Sequence, residues 1–227
     1  VVLLTENHGK HAGLVRGGTN RRVRGIYEPG NFVIANWSAR LEEHLGTWVC
    51  ELVTAKAGLI LNKPLRLSGL SSACAVAERS LPEREPHPIF FSNFKNLVDS
   101  INLNNWTAYY VNREINLLAE LGFGLDLTSC AATGSKENLI YVSPKSGRAV
   151  SKSAGKPYHH KLLPLPLFLR PDPESKQPPM SDLVLGLELT QYFLKRHIFS
   201  YATGDEPSAR TRFVDRLRQL ATISCIE

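Results

Sequence analysis

Over the first 57 residues, apolar and polar positions alternate in short runs that turn signals separate. The alternation is clearest over 32–40 and 48–53, and shorter apolar runs cover 1–5 and 13–16. A period of two residues between turns spaced by about ten residues is typical of a small antiparallel barrel or sandwich. The chain opens directly inside one of these runs, at Val1.

From residue 64 onward the spacing of apolar residues becomes helical. It predicts helices over 64–77, 89–103, 106–121 and 181–199, and a last helix from Asp205 or Ser208 that buries Phe213, Val214, Leu217 and Leu220. Residues 131–160 break this periodicity with glycine and proline, and two short apolar runs at 139–142 and 148–151 predict a hairpin. We expect an α+β protein: a strand-rich domain over 1–57 and a helical domain over 58–227, with an insertion at about 130–160.

Composition places the chain among globular proteins, with 43% hydrophobic and 21% charged residues over 227 positions. No uncharged apolar run approaches the ~18 residues that span a bilayer, so no membrane partner is expected. The four cysteines are Cys50, Cys74, Cys130 and Cys225. No two of them have the close spacing of a zinc ribbon or a redox motif, so we expect reduced, buried thiols and no cofactor.

Positive charge is concentrated in two blocks of the chain. The formal net charge is +6, with +4 over residues 1–40, −3 over 81–130 and +6 over 131–170. Aromatic residues lie close to both blocks, at Tyr27, Phe32, Trp37, Tyr141 and Tyr158. Cations neutralise phosphates and flat rings stack on unpaired bases, so this pattern favours nucleic acid as a partner.

Motifs of catalysis are missing from the sequence. Gly122-Phe123-Gly124 lacks the third glycine of a dinucleotide loop and ends a predicted helix, and no phosphate-binding loop or nucleophile elbow is present. The histidine pairs His8/His11 and His159/His160 have no acid or cysteine beside them that would complete a metal site. A hydrolase that uses His159 or His160 remains one hypothesis, but the sequence predicts no enzyme.

Several segments resemble the RecO family of bacterial DNA repair proteins. The most specific is Leu-Gly-Phe-Gly-Leu at 121–125, and the others are His-Gly-Lys at 8–10, Val-Arg-Gly-Gly at 15–18, Pro-Gly-Asn at 29–31, Tyr-Val-Ser-Pro-Lys-Ser-Gly-Arg at 141–148 and Leu-Leu-Pro-Leu-Pro at 162–166. The resemblance covers nearly the whole chain. It implies an oligonucleotide/oligosaccharide-binding (OB-fold) barrel followed by a helical domain that carries a small zinc-binding insertion. The family's barrel begins about one strand earlier than this chain, so we expect the first strand of the sheet to be missing from it.

The resemblance also implies a function without chemistry. Members of this family bind single- and double-stranded DNA, anneal complementary strands, and work with RecR and single-strand-binding protein to load RecA on damaged DNA. It further implies a cytoplasmic, nucleoid-associated bacterial protein. A second hypothesis is a protein-interaction scaffold whose basic surface docks acidic peptide tails.

One departure from the family concerns zinc. Many members carry two Cys-x2-Cys pairs in the insertion, and the matching positions here are Cys130, Thr133, Ser151 and Ala154. A closed tetrahedral zinc site needs four ligands, so a single thiolate predicts that no zinc is bound.

The candidate site residues follow from the basic blocks and the resemblance. The predicted DNA contacts are Lys10, Arg16, Arg21, Arg22, Arg24, Arg40, Lys145 and Arg148, with Lys152 and Lys156 as further candidates in the second block. Phe32 or Trp37 could stack on bases, and Trp37 fits a place in the barrel core equally well. Arg113, Lys195 and Arg196 flank the apolar faces of 106–121 and 181–199, where we expect a groove for the tail of single-strand-binding protein.

Overall fold

A computed structural model describes residues 1–41, 43–171, 177–200 and 205–223, and it leaves the side chain of Arg22 undescribed. Cys225 lies outside these ranges, while Cys50, Cys74 and Cys130 are free thiols. The chain forms two compact units, one of residues 1–102 with 207–210 and one of residues 103–206 with 211–227. No helix in the described ranges is long and apolar enough to cross a membrane.

The strands of the first unit form two antiparallel hairpins. Strand β1 (Val2–Thr5) pairs with β2 (Gly9–Ala12), and β3 (Phe32–Ser38) pairs with β4 (Thr47–Thr54). The alternation over 32–40 and 48–53 is thereby confirmed as a strand pair. The strand predicted at 13–16 is wrong: the chain turns before Gly9, whose φ of 63° suits glycine, and pairing therefore starts four residues earlier. Beyond β2, Leu14 keeps one bridge, to Thr47.

The mixture of helices and small sheets is confirmed, but a closed barrel is not. The two hairpins remain separate two-stranded sheets, and a third sheet lies in the second unit. Among the described residues, β1 pairs with β2 alone and β3 with β4 alone. Each hairpin therefore keeps an edge whose backbone groups have no strand partner.

The segment of clustered arginines is helical, although the first 57 residues read as strands. Arg21–Arg24 form one turn of helix, α1, which a 3-10 turn over Gly25–Tyr27 continues. The carbonyl of Asn20 accepts hydrogen bonds from the N–H groups of Val23 (3.0 Å) and Arg24 (2.9 Å). Asparagine is favoured just before a helix, so this local signal prevails over the strand pattern around it.

Two helices complete the first unit. Helix α2 is Pro64–Ser80 and α3 is Pro88–Asp99, after a 3-10 turn over Ala57–Ile60. Both helices have proline at their first turn, where its missing N–H is not needed. Both helices were predicted from the spacing of their apolar residues, and they bury apolar side chains such as Leu70 and Leu97.

The second unit is built on helices α4 (Trp106–Glu120), α6 (Met180–Leu194) and α7 (Ser208–Ile223), and a π-helical turn, Lys195–Phe199, extends α6. Gly122 ends α4 with a φ of 85°, as predicted. The rings of Trp106, Tyr110 and Phe213 form the aromatic centre of the core, with the Tyr110 and Phe213 centroids 4.8 Å apart. Leu187 of α6 is fully buried in the same core.

The predicted insertion is a small sheet followed by a tight turn. Strands β5 (Leu139–Val142), β6 (Ala149–Ser151) and β7 (Leu163–Pro164) lie in the order β6-β5-β7, which confirms the predicted hairpin. Between β6 and β7 the chain forms helix α5 (Lys152–Gly155) and a 3-10 turn over Lys156–Lys161.

Hydrogen bonds connect positions that the resemblance assigns to zinc ligands. The Cys130 Sγ lies 3.4 Å from the Ser151 Oγ and accepts the Ser151 N–H at 3.3 Å. The Ser151 Oγ in turn accepts the Ala154 N–H at 3.5 Å. Burial alone would raise the pKa of Cys130, but hydrogen bonds from Ser151, Thr133 and the Ala132 backbone outweigh it and lower the pKa to about 6. This set does not fit zinc, and the described ranges hold no cluster of three or more candidate metal ligands.

Restoring three cysteines tests this account of the insertion. Two thiolates on one tetrahedral zinc lie roughly 3.7 Å apart, since each Zn–S bond is ~2.3 Å. The 3.4 Å between Cys130 Sγ and Ser151 Oγ is close to that spacing. We expect the variant Thr133→Cys/Ser151→Cys/Ala154→Cys to bind about one zinc per chain. The unaltered chain and the single variant Ser151→Cys should bind none, as measured by elemental analysis of untagged protein. Stoichiometric zinc in the unaltered chain would contradict the prediction.

Candidate nucleic-acid interface

An arginine ridge, defined as Arg16, Arg21 and Arg24, lies on the exposed surface of the first unit. Arg24 is 3.8 Å from Glu28, but both side chains are largely exposed, at 76% and 47%, so this ion pair is weak. Arg16 and Arg21 form no ion pair with any described residue. Charges in this state are available to an anionic ligand without breaking internal contacts.

The other two predicted contacts of this unit differ from each other. The Lys10 Nζ donates to the backbone carbonyl of Glu78 at 2.7 Å, and the Lys10 carbonyl accepts the Arg84 N–H at 2.8 Å. Lys10 therefore fixes β2 against α2 and the loop that follows it. Arg40 is exposed just beyond the end of β3 and forms no ion pair with the described residues.

A groove of about 990 Å³ runs between the two hairpins and the helices α2 and α3 of the first unit. Its lining includes β1, most of β3, and the rings of His11, Trp37 and Trp48. The His11 Nδ1 and the Nε1 atoms of both tryptophans are buried without a hydrogen-bond partner. Buried polar atoms of this kind are rare in folded proteins. In the groove, they could form hydrogen bonds with a further segment of chain or with a ligand.

Trp37 packs inside this unit. Its ring lies edge-on to His11, with 4.5 Å between centroids, and the Arg84 guanidinium lies over it at 5.3 Å. Gly46 closes the other side, since a Cβ there would come within 2.4 Å of the indole. Of the two roles that the sequence left open for Trp37, barrel core and base stacking, these contacts favour packing in the core.

Phe32 also contacts charged side chains of its own unit. Lys56 and Lys95 lie over its ring at 5.8 and 5.7 Å, and both lysines pair with Asp99. Hydrogen bonding to Lys56, aided by Lys95, lowers the pKa of the Asp99 carboxyl. Because both lysines pair with the same carboxylate, they lie over the same side of the ring, and base stacking on the other side of Phe32 stays a prediction. Sequence reasoning missed Arg84, Lys56 and Lys95 because each reaches its ring from a distant segment, and no local pattern marks such contacts.

In the second unit, two predicted sets of residues meet. The Arg196 Nη1 donates to the Pro144 carbonyl at 2.8 Å, which joins the end of α6 to the hairpin tip that carries Lys145. Arg148, on the same hairpin, pairs with Asp126 at 3.4 Å. Lys195 is exposed at the start of the π-helical turn. The sequence analysis assigned Lys145 and Arg148 to DNA, and Lys195 and Arg196 to a protein partner.

An exposed aromatic pair lies one residue along from Arg196. Phe123, which is 38% exposed, stacks on the His197 ring with 4.5 Å between centroids and 18° between planes. Burial and the neighbouring Arg196 lower the pKa of His197, which favours the neutral ring. This platform was not predicted, because Phe123 read only as part of a helix stop.

Arg113 has a different environment from Lys195 and Arg196. It is half-buried on α4, its Nε has no hydrogen-bond partner, and burial lowers its pKa. The apolar faces that it was expected to border belong largely to the core of the unit: Trp106, Tyr110, Val111, Leu117, Leu118, Leu183, Leu187, Phe193 and Leu194 are all buried. An apolar groove along these faces is therefore filled by the unit itself.

The stability of the first unit should fall in acid because of His11. Burial and the nearby Arg84 lower the pKa of His11 below the 6.5 of an exposed histidine. As the pH falls through about 6.5, the unfolded chain binds a proton that the folded chain resists, so the free energy of unfolding decreases. Above that pH the two states bind protons alike and the effect vanishes.

Urea unfolding at pH 7.5 and 5.5, followed by tryptophan fluorescence, measures this loss. We expect His11→Phe to reduce the difference between the two pH values, whereas His8→Gln, in the exposed turn before β2, should leave it unchanged. An undiminished pH difference in His11→Phe would contradict the assignment.

Comparison with known proteins agrees with the resemblance seen in the sequence. The family model described as Recombination protein O N terminal matches residues 1–55, and that described as Recombination protein O C terminal matches residues 61–204. A protein of Rhodospirillum centenum named DNA repair protein RecO is 52% identical over 227 residues, covering 99% of this chain and 90% of that protein. Proteins of the same name from Rhodospirillum rubrum (44% identical, 96% of this chain and 89% of that protein) and Methylocella silvestris (43% identical, 93% and 85%) are also similar. The chain therefore belongs to the RecO family of DNA repair and recombination proteins.

Proposed function

We propose that this DNA repair protein is a recombination mediator that acts without catalysing a reaction. It binds single- and double-stranded DNA, anneals complementary strands and, with RecR, helps to load RecA onto DNA coated with single-strand-binding protein. Residues 1–57 serve as the nucleic-acid domain and residues 58–227 as the helical domain that meets protein partners. Family membership supports the role in repair, and the finer steps are inferences from the surface of the chain.

The observation that carries the proposal is the arginine ridge. Arg16, Arg21 and Arg24 are exposed, and a single weak ion pair, to Glu28, engages them among the described residues. Arginine suits a sequence-independent contact, since its planar fork pairs with phosphate and also lies flat on a base. A mediator must act on any sequence, so contacts to the DNA backbone are the ones it requires.

We further propose that the first unit completes an OB-fold barrel with one more strand. The unpaired edges of β1 and β3 both border the 990 Å³ groove, which supports the entry of a strand between them. Such a strand would satisfy the backbone groups of both edges and bring polar atoms near His11, Trp37 and Trp48. Five-stranded barrels of this type bind single strands across one face.

Replacing Arg21, Arg22 and Arg24 together by alanine tests the arginine ridge and its neighbour. Each phosphate contact on single-stranded DNA contributes about 0.7 to the slope of log K against log salt concentration. We expect the triple variant to flatten this slope by roughly two and to lose affinity equally for every sequence. Fluorescence anisotropy over a salt series measures both effects.

A matched variant controls for net charge in that experiment. Arg212, Arg216 and Arg218 are exposed on α7, and replacing all three by alanine removes the same charge from another surface. This variant should keep the slope of the unaltered chain. If the slopes of the two variants agree, or if the ridge variant keeps its slope with the fold intact by circular dichroism, the DNA does not bind at the ridge.

The mediator step itself has a direct assay. Complementary strands coated with single-strand-binding protein should anneal when the chain is added, and RecR should change the subsequent loading of RecA. Annealing of bare strands alone, with coated strands unaffected, would favour a plain DNA-binding protein. Binding to acidic peptides without any binding to DNA would favour the scaffold hypothesis.

We propose that the tail of single-strand-binding protein binds beside Arg196. An acidic tail with an apolar tip needs cations next to an exposed apolar surface, and Arg196 with the Phe123–His197 platform provides both. The partner contacts predicted from the sequence also include Arg113, which is half-buried, and Lys195, which is exposed.

Calorimetry with a tail peptide at low salt tests this contact. We expect Phe123→Ala and Arg196→Ala each to weaken binding several-fold. The reason is that a few aromatic and arginine side chains carry most of the binding energy of an interface. Tyr109→Ala, which removes an exposed ring from α4 instead, serves as the control. Unaltered peptide affinity in both Phe123→Ala and Arg196→Ala would move the tail elsewhere.

A further inference from the structure

The ten residues that follow β6 form a basic turn, which we define as residues 152–161. Lys152, Lys156 and Lys161 are exposed there, together with His159 and His160. None of the three lysines forms an ion pair with a described residue. The chain has no Asp or Glu between 138 and 171, so local sequence cannot neutralise them. The positive charge of this turn is therefore available to an external anion.

An exposed ring accompanies these cations. Tyr158, in the middle of the basic turn, is 61% exposed, which makes it the most exposed aromatic side chain of the described residues. Tyr110, by comparison, is 1% exposed in the core of the same unit. A free aromatic face in water gains by stacking on another flat group, and nucleobases present such faces in every sequence.

The backbone of the turn is held in place before any ligand arrives. The Ser151 hydroxyl caps α5 through the Ala154 N–H, and the Lys152 N–H donates to the Asn138 carbonyl at 2.8 Å. Gly155 lies so close to Tyr141 that a Cβ would come within 2.5 Å of the ring. A surface that is already ordered loses little entropy on binding.

We propose that the basic turn binds single-stranded nucleic acid, with Tyr158 stacking on a base and the lysines contacting the flanking phosphates. The identity of the natural strand as DNA rests on the proposed function. The contact is separate from the arginine ridge, and stacking with phosphate contacts tolerates any base. A peptide of acidic residues alone would satisfy the lysines but would leave the Tyr158 face without a partner.

Two oligonucleotides separate stacking from charge. One is a labelled oligo-dT, and the other is an abasic strand of the same length and charge. We expect Tyr158→Ala in the full chain to weaken the binding of oligo-dT roughly fivefold or more, because base–aromatic stacking is lost. Binding of the abasic strand and the salt slope should stay unchanged, and Tyr158→Phe should bind oligo-dT like the unaltered chain.

Loss of the lysines should change the salt dependence of binding rather than the stacking on a base. Replacing Lys152, Lys156 and Lys161 by alanine should flatten the salt slope by roughly two for both strands, at about 0.7 for each phosphate contact. The α7 variant that lacks Arg212, Arg216 and Arg218 provides the control of equal charge. Circular dichroism confirms that each variant is folded.

The possible results distinguish failure of the proposed function from failure of the basic-turn proposal. If the unaltered chain binds neither strand, the proposed function fails. If it binds oligo-dT and Tyr158→Ala binds equally well, or loses the abasic strand to the same extent, stacking at Tyr158 is excluded and this proposal alone fails. If an acidic peptide of matched charge binds more tightly than oligo-dT and loses affinity in the lysine variant, the turn is a peptide site and the proposal is overturned.

Discussion

The packing of α4 against α6 is the contact on which the second unit depends. Gly186 makes it possible, since a Cβ there would approach the Val111 side chain to 3.1 Å and the Phe168 ring to 2.8 Å. With α6 fixed in this way, its π-helical extension carries Arg196 to the Pro144 carbonyl at 2.8 Å. The hairpin tip is thereby tied to a helix of the core rather than left as a free loop. The hairpin that carries Lys145 and Arg148 and the surface proposed for a protein tail therefore share one rigid support.

Local periodicity was enough to predict most helices and the clearest hairpins. Helices α2, α4 and α6 follow apolar residues at helical spacing, and the pair β3–β4 follows strict alternation. The errors lie where glycine and asparagine compete with the pattern: β2 begins at Gly9, and Asn20 starts a helical turn inside a strand-rich stretch. Closure of a sheet is a long-range property, so alternation alone could not decide it.

The candidate sites were harder to predict than the fold because charge along the chain says little about geometry. Lys10 and Arg16 look alike in sequence, yet Lys10 holds the Glu78 carbonyl while Arg16 is open to solvent. Phe32 was predicted to stack on a base, and its ring also contacts Lys56 and Lys95, which come from distant segments that no local pattern marks. By contrast, the cations of 152–161 are unpaired for a reason visible in the sequence, since no acid lies near them along the chain.

The hydrogen bonds around Cys130 have a consequence for the conditions under which this protein keeps its shape. With Thr133, Ser151 and Ala154 at the other three positions, the predicted lack of zinc leaves hydrogen bonds to hold the insertion, and Cys130 has no second thiol there with which to form a disulfide. A chelator that would dismantle a four-cysteine knuckle would then have no such target here. We therefore expect the turn that Ser151 caps to stay folded when zinc is withheld.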